Sequence, residues 1–298
     1  MKLETFADLC CGIGGFHYAA KQHGLRGVFA ADIDAKCRRA YEHNHGLTPE
    51  GDLFELDAKK LPSHDLLMAG FPCQSFSICG DRAGFEDTRG TVFFEIARII
   101  KAKKPKAVIL ENVKNLRGHN KGKTLARIIS VLEGLGYSVT WKILNALEFG
   151  LPQHRTRIVI VAIRGGLGKF RWPDSKPAYT PLAEILEENP DRKHFASKGI
   201  RASRKAKHKP ACKPSIWHEN KSGNVSSHPY SCALRAGASH NYLLVNGERR
   251  LTPREMLRLQ GFPDSFEIAC SDHQTRKQAG NAVPVPMVAA VIKEILNA

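Results

Sequence analysis

The chain has 298 residues, 42 % of them hydrophobic, which suffices for one large domain or a core domain with a small second one and excludes disorder throughout. Lys and Arg outnumber Asp and Glu by 45 to 29, a formal charge of +16 that points to a polyanionic partner. No apolar run approaches the ~20 residues of a membrane-spanning helix, Met1-Lys2-Leu3-Glu4 lacks the apolar core of a signal peptide, and none of the eight cysteines stand at C-x-x-C spacing. A cytoplasmic protein with no membrane partner and no metal site is therefore expected.

Over the first 165 residues short aliphatic runs alternate with helical patterning. Thr5–Leu9, Val28–Ala31, Asp65–Ala69, Ala107–Leu110 and Arg157–Ile163 read as strands covered on both faces, because apolar residues run on with little alternation. Phe16–His23, Ala35–His43, Thr91–Ala102 and Thr124–Leu135 read as the helices between them, so the pattern predicts an α/β fold with a mostly parallel sheet. Gly165, Gly166, Gly168, Pro173 and Pro177 then break the pattern, and Thr180-Pro181 opens a short helix to Glu188. Residues 189 to about 243 are polar, basic and loop-like. From Arg192 to His218 there is no acid, and this clustering predicts nucleic-acid contact. Order returns at Asn241–Val245, Thr252-Pro253-Arg254-Glu255 is a capping box with proline at the first helical position, and Pro286–Leu296 is a final apolar helix. The boundaries that follow are a catalytic and cofactor-binding domain over 1–185, a small loop-rich domain over 186–243, and a return segment, 244–298, that completes the first.

Four polar clusters bracket the predicted strands. Asp8-Leu9-Cys10-Cys11-Gly12-Ile13-Gly14-Gly15 links the first strand to the first helix, and Asp32 lies 20 residues after Gly12 at the end of the second strand. Glycines there let a ligand approach the backbone and an acid there can hold ribose hydroxyls, which suits a dinucleotide or S-adenosylmethionine; the G-x-G-G spacing weakens the dinucleotide. Gly70-Phe71-Pro72-Cys73-Gln74-Ser75-Phe76-Ser77 follows the strand Asp65–Ala69, where an α/β fold carries its ligand or catalytic groups. Glu111-Asn112-Val113 also lies at a strand's carboxyl end, and Gln153-His154-Arg155-Thr156-Arg157 sets two arginines two apart, on one face of a strand. Taken singly these read equally as a tight turn, a buried cysteine, a surface acid and a strand edge.

Taken together, and in this order, the motifs resemble the DNA (cytosine-5) methyltransferase family in its compact bacterial restriction–modification form. Gly70–Ser77 resembles the Pro-Cys loop, Glu111-Asn112-Val113 the Glu-Asn-Val motif and Gln153–Arg157 the Gln-x-Arg-x-Arg motif. Arg250–Glu255 with Gln260-Gly261-Phe262-Pro263 resembles the support of the recognition domain, and Gln278–Pro284 the last motif, which returns to the cofactor pocket. The resemblance covers nearly the whole chain. It departs at Cys10, where members often carry an aromatic, and at Asp32, where they often carry Glu. It implies a Rossmann-like S-adenosylmethionine-dependent methyltransferase sheet with a small target recognition domain over 186–243. It implies that Cys73 adds to carbon 6 of a cytosine, that a protonated Glu111 supports the attack at ring nitrogen 3, and that Arg155, with Arg157 a weaker candidate, holds the base carbonyl or a phosphate. Carbon 6 is unreachable inside a duplex, so the base must flip out.

The cofactor, S-adenosylmethionine, is expected on Asp8, Leu9, Cys10, Gly12, Ile13, Gly14, Gly15, Asp32, Ile33, Asp52, Leu53, Pro72 and Asn281. Double-stranded DNA is expected on Gln74, Ser75, Ser77, Arg89, Arg201, Arg204, Lys205 and Arg235, with Ser75–Arg89 a mobile loop over the flipped base. A monomer is expected, and a cognate restriction endonuclease is implied by the resemblance alone. Three other readings compete: an RNA cytosine methyltransferase, a nicotinamide dehydrogenase, which leaves Cys73, Glu111 and the arginines unexplained, and a catalytically silent DNA-binding relative.

Overall fold

A computed structural model of the chain describes residues 1–72, 91–176, 178–239 and 241–298. Its backbone separates into two compact units, the first formed by 1–144, 156–174 and 287–298, the second by 145–155 and 175–286. The second unit is thus larger than the 186–243 segment that composition suggests.

The first unit is built on β1 (Thr5–Leu9), α1 (Gly15–Lys21), β2 (Arg26–Ala31), α2 (Ala35–His45), β3 (Leu66–Gly70), α3 (Val92–Lys103), β4 (Ala107–Val113), α4 (Lys123–Gly134), β5 (Tyr137–Asn145) and β7 (Thr156–Arg164), with α9 (Val285–Leu296) contributing from Met287 on. Six strands form one sheet in the order β2-β1-β3-β4-β7-β5. β1 pairs in parallel with β2 and β3, and β3 with β4, while β7 runs antiparallel to β4. The sheet is therefore mixed: its β2, β1, β3 and β4 strands are parallel, in line with the mostly parallel sheet that the pattern predicts, and β7 is reversed. Leu66, Leu67, Met68, Val108, Ile109 and Leu110 are wholly buried, because helices cover both faces of the central strands. From β1 the chain moves outward to β2, then crosses back to β3 on the other side of β1. That reversal opens a crevice at the carboxyl ends of β1 and β3. Strand β5 lacks the continuous aliphatic run used to find the others; Tyr137, Val139, Trp141 and Ile143 instead alternate with Ser138, Thr140 and Lys142, the period of a half-buried strand.

The second unit contains β6 (Gln153–His154), α5 (Leu182–Ile185), α6 (Lys198–Lys207), β8 (Ile216–Glu219), β9 (Val225–His228), β10 (Ser231–Cys232), β11 (Leu243–Val245), α7 (Pro253–Leu259) and α8 (Asp272–Asn281). The segment expected to be loop-like thus carries a helix and a β11-β8-β9 antiparallel sheet. Ser197 caps α6 by accepting a hydrogen bond from Ile200 N. Ile200 packs with Ala196, Trp217, Val225 and Leu244 into a small core of its own. These apolar residues are too scattered in sequence to show a period. By composition Asp272–Leu296 is long and apolar enough to cross a membrane, but it is broken between α8 and α9 and 67 % of its most apolar window is buried in the fold.

Candidate active site

The glycine turn follows β1 at the crevice. Gly12 and Gly14 have φ of +54° and +85°, in the left-handed region that favours glycine. A Cβ on Gly14 would stand 2.0 Å from His45 Nε2, so the turn closes directly on that imidazole, whereas a Cβ on Gly12 would meet nothing within 4 Å. One side of the turn is thus packed and the other open. Asp32, at the end of β2, accepts Gly12 N on Oδ2 at 2.8 Å and Asp34 N on Oδ1 at 2.8 Å, which fixes the carboxylate beside the open side. Burial, tempered by these two amides, raises its pKa.

Beneath the turn lies a buried polar cluster. His17 Nδ1 and Tyr41 Oη are 2.8 Å apart, and the His17 ring stacks on His45 at 4.1 Å between centroids. Desolvation lowers His17 to about 3 and His45 to about 4, so both are neutral at physiological pH. Asp8 is fully buried. Burial first, and Asp32 second, push its carboxyl well above the usual range, and the His17 amide and Tyr41 hydroxyl offset this only in part. Cys10 and Cys11 are raised by burial and by the nearby aspartates, Cys10 to about 12, so neither supplies a thiolate.

Burial narrows the expected cofactor contacts. Asp8 and Leu9 are 0 % exposed and Ile13 is 1 %, so a ligand finds no side-chain surface on them; they shape the turn from below. Gly14, Gly15 and Leu53 are buried as well. Accessible surface remains on Cys10, Gly12, Asp32, Asp52, Pro72 and above all Ile33, whose apolar side chain is 74 % exposed next to Asp32. An uncovered isoleucine beside a carboxylate placed where ribose hydroxyls would meet it suits the flat face of an adenine. The open glycine turn, the acid and the apolar platform fit S-adenosylmethionine. Asn281 ends α8, exposed, in the second unit.

Glu111 lies near the end of β4. Its strand neighbour β7 sets Arg157 opposite Val113, on the same face as Glu111 and one diagonal step away. Arg157 Nε reaches Glu111 Oε1 at 2.8 Å, off the line of the N–H, so the contact is charge pairing rather than a linear hydrogen bond. Asn112, next after Glu111 in sequence, faces the other way and donates from Nδ2 to Phe71 O at 2.7 Å. This tethers the end of β4 to the residue two before Cys73. Asn112 escaped selection from sequence as a site residue; its place in the Glu-Asn-Val motif was the signal. Cys73, Gln74, Ser75, Ser77, Arg89 and the loop expected over Ser75–Arg89 lie outside the described residues.

Arg155 departs from expectation. It is 1 % exposed, donating from Nη1 to Leu234 O (2.9 Å) and from Nη2 to Gly280 O (3.0 Å) and Ala282 O (2.8 Å). Gln153 beside it donates to Leu259 O and accepts from Leu234 N. Backbone carbonyls thus engage the guanidinium that was expected to hold the base, and Arg157, the weaker candidate, stands beside Glu111.

The cations of the basic segment are also largely engaged. Arg204 is 2 % exposed and donates to Glu219 Oε2 and Asn241 O; Arg201 and Lys205 both pair with Glu248. The segment lacks acids in sequence and receives them from the rest of its unit. Burial removes Arg204 from reach of DNA, a correction to its expected role. Arg235 remains exposed, its guanidinium 4.8 Å over the Tyr242 ring.

The family model described as C-5 cytosine-specific DNA methylase matches residues 4–297. The chain is 52 % identical over 289 residues to the Type II methyltransferase M.NgoBI of Neisseria gonorrhoeae, covering 96 % of this chain and 91 % of that one. It is 49 % identical over 300 residues to the Type II methyltransferase M.HaeII of Haemophilus aegyptius, covering 100 % and 94 %. Among solved structures the S. pombe Dnmt2 methyltransferase shares the fold at a TM-score of 0.74 and 21 % identity, with 99 % of each chain covered.

Proposed function

The chain belongs to the C-5 cytosine-specific DNA methylases and is a DNA (cytosine-5) methyltransferase, and on that premise we propose how its residues divide the work. Cys73 is the nucleophile. Its sulfur adds to carbon 6 of a cytosine turned out of the duplex, making carbon 5 nucleophilic. A thiolate suits this step because it both attacks and leaves well. Glu111 serves ring nitrogen 3, where electron density gathers. Arg157, rather than Arg155, holds Glu111 in place and faces the base carbonyl. Asn112 positions the strand that leads to Cys73. S-adenosylmethionine, when bound, supplies the electrophilic methyl group, and Gly12, Asp32, Ile33 and Asp52 hold it, with Cys10 and Pro72 adjoining. After transfer the carbon 5 proton leaves and Cys73 is released.

The observation that carries this reading is the convergence of three motifs on one strand end: Arg157 paired to Glu111, with Asn112 tying the same strand to the segment before Cys73. The second unit reads the DNA sequence, with Arg235 among its exposed contacts. The protein works as a monomer in the bacterial cytoplasm beside a cognate restriction endonuclease.

The decisive experiment is bisulfite sequencing of plasmid DNA from methylation-deficient bacteria expressing the chain, beside Cys73→Ala. Protected cytosines confined to one short sequence, and lost in the variant, are the expected result. Protection that survives Cys73→Ala contradicts the assignment of the nucleophile.

A further inference from the structure

Positive charge in the first unit gathers just beyond β4. From Asn112 to Leu132 the chain has no Asp or Glu, yet it carries Lys114, Arg117, Lys121, Lys123 and Arg127. β4 runs directly into a 3-10 turn over Lys114–Arg117. In such a turn residues three apart eclipse, so Lys114 and Arg117 share a face, while Leu116, wholly buried, anchors the turn from behind. The two cations line an open groove of about 660 Å³ with Asn115, Gly118, His119 and Ile143. His119 is held in place, its Nδ1 2.7 Å from Thr124 Oγ1, and the Arg117 guanidinium lies 5.8 Å over the Trp141 ring. Neither Lys114 nor Arg117 pairs with a carboxylate among the described residues, in contrast to Arg201, Arg204 and Lys205, which do. Cations that are pre-positioned, exposed and without counter-charge lower the free energy of an incoming polyanion.

We propose that this groove is a phosphate track, in which Lys114 and Arg117 carry the DNA backbone next to the target cytosine. Lys114 follows Glu111 by three residues at the same strand end, so a base resting at Glu111 brings its neighbouring phosphates within reach of the groove. The inference deepens the proposed function and rests on the placement of Glu111 toward the base. Phosphate contacts hold register without reading sequence, so the track serves any flanking sequence.

The test is the salt dependence of duplex binding, which needs no turnover and so separates this inference from the assignment of Cys73. The wild type and Lys114→Gln/Arg117→Gln are compared on a duplex containing the methylated site and on one of equal length without it, with circular dichroism checking the fold. Lys114→Gln alone guards against disturbance of the Trp141 stack. Lys293→Gln, an exposed charge on α9, is the control. Each lost phosphate contact makes log K against log [salt] shallower by about 0.9, so the double variant is expected to flatten the slope by roughly 1.8 on both duplexes and the single variant by about half that. Near 0.1 M salt the KM for DNA rises about eightfold for Lys114→Gln and roughly sixtyfold for the double variant, while the methylated sequence and the KM for S-adenosylmethionine stay unchanged. Slopes equal to wild type, or an equal flattening by Lys293→Gln, overturn the track. Altered sequence preference also overturns it, because a residue that reads bases is not a phosphate contact.

Discussion

At the scale of single residues, two arginines separated by one threonine do different work. Arg155 serves three buried carbonyls, and removing it takes its donors from Leu234 O and Gly280 O and leaves Ala282 O only the longer bond from Gln260 Nε2 at 3.2 Å. Arg155→Ala is expected to lose about 3 kcal/mol or more of stability, read as a lower urea midpoint. Arg157→Ala is expected to change the midpoint less and to lower kcat by roughly 10²–10³, as removal of a charge-stabilising donor does. A reversed pattern, with Arg155→Ala stable but slow, would restore the role that the motif suggests at first sight. Gly14→Ala is a second residue-scale test. Its Cβ would collide with His45 at a backbone φ of +85°, so weaker S-adenosylmethionine binding by calorimetry is expected, whereas Gly24→Ala, at a similar φ with open space around it, should leave binding unchanged.

At the scale of elements, α7 shows how a local signal becomes a tertiary one. Thr252 and Glu255 form the reciprocal capping box that their spacing predicts. The Glu255 carboxylate, 0 % exposed, also accepts from Glu187 N and pairs with both Nη atoms of Arg249 at 2.8 and 2.7 Å. Thr252→Ala removes a cap alone and is expected to cost about 1 kcal/mol. Glu255→Ala strands a buried guanidinium and is expected to cost about 3–5 kcal/mol. Urea denaturation of the two variants measures the gap. Equal losses would mean that the Arg249 pair adds nothing to the cap. Helix α6 makes the complementary point. Its run of basic residues looks like a free cationic face until Glu219 and Glu248 fold against it.

At the scale of the whole molecule, buried titratable groups set the response to acid. His17 and His45 fall to about 3 and about 4 in the folded state, and burial also lowers His64, His194 and His218. A depressed histidine keeps the folded chain neutral while the unfolded chain takes up protons below about pH 6.5, so stability is retained above that pH and lost as pH falls toward the folded values. Asp8 and Asp32, raised by burial, act in the opposite sense, since the folded state takes up their protons first. Five histidines outweigh two carboxyls. Stability is therefore expected to be flat from about pH 7 to 8 and to fall by at least about 1.4 kcal/mol per unit below pH 6, one net proton's worth. Urea unfolding at pH 5, 6 and 7.5 checks this, and a rise in stability on acidification would show that the carboxyls dominate.

Much of the molecule is legible in the sequence, because its strands are buried on both faces and its turns need glycine. Continuous aliphatic runs mark β1 through β4 and β7, and the polar motifs stand at their ends, where a parallel sheet leaves backbone and side chains open to ligand. That alone determined the fold class, the position of the glycine turn, and Glu111 and Asp32 as candidate site residues. Helix α6 and strands β8 and β9 were illegible, since their apolar partners lie far apart in the chain, while half-buried β5 shows an alternation of period two in place of the continuous aliphatic run that marks the other strands. What only the tertiary structure decided is which charges are free. Sequence marks Arg155, Arg157, Arg201 and Arg204 as candidate site cations and passes over Lys114. Folding buries Arg155 and Arg204, pairs Arg157 with Glu111 and Arg201 with Glu248, and leaves Lys114 open to solvent. Charge compensation depends on distance through space, and neighbours in space are set by packing rather than by position along the chain.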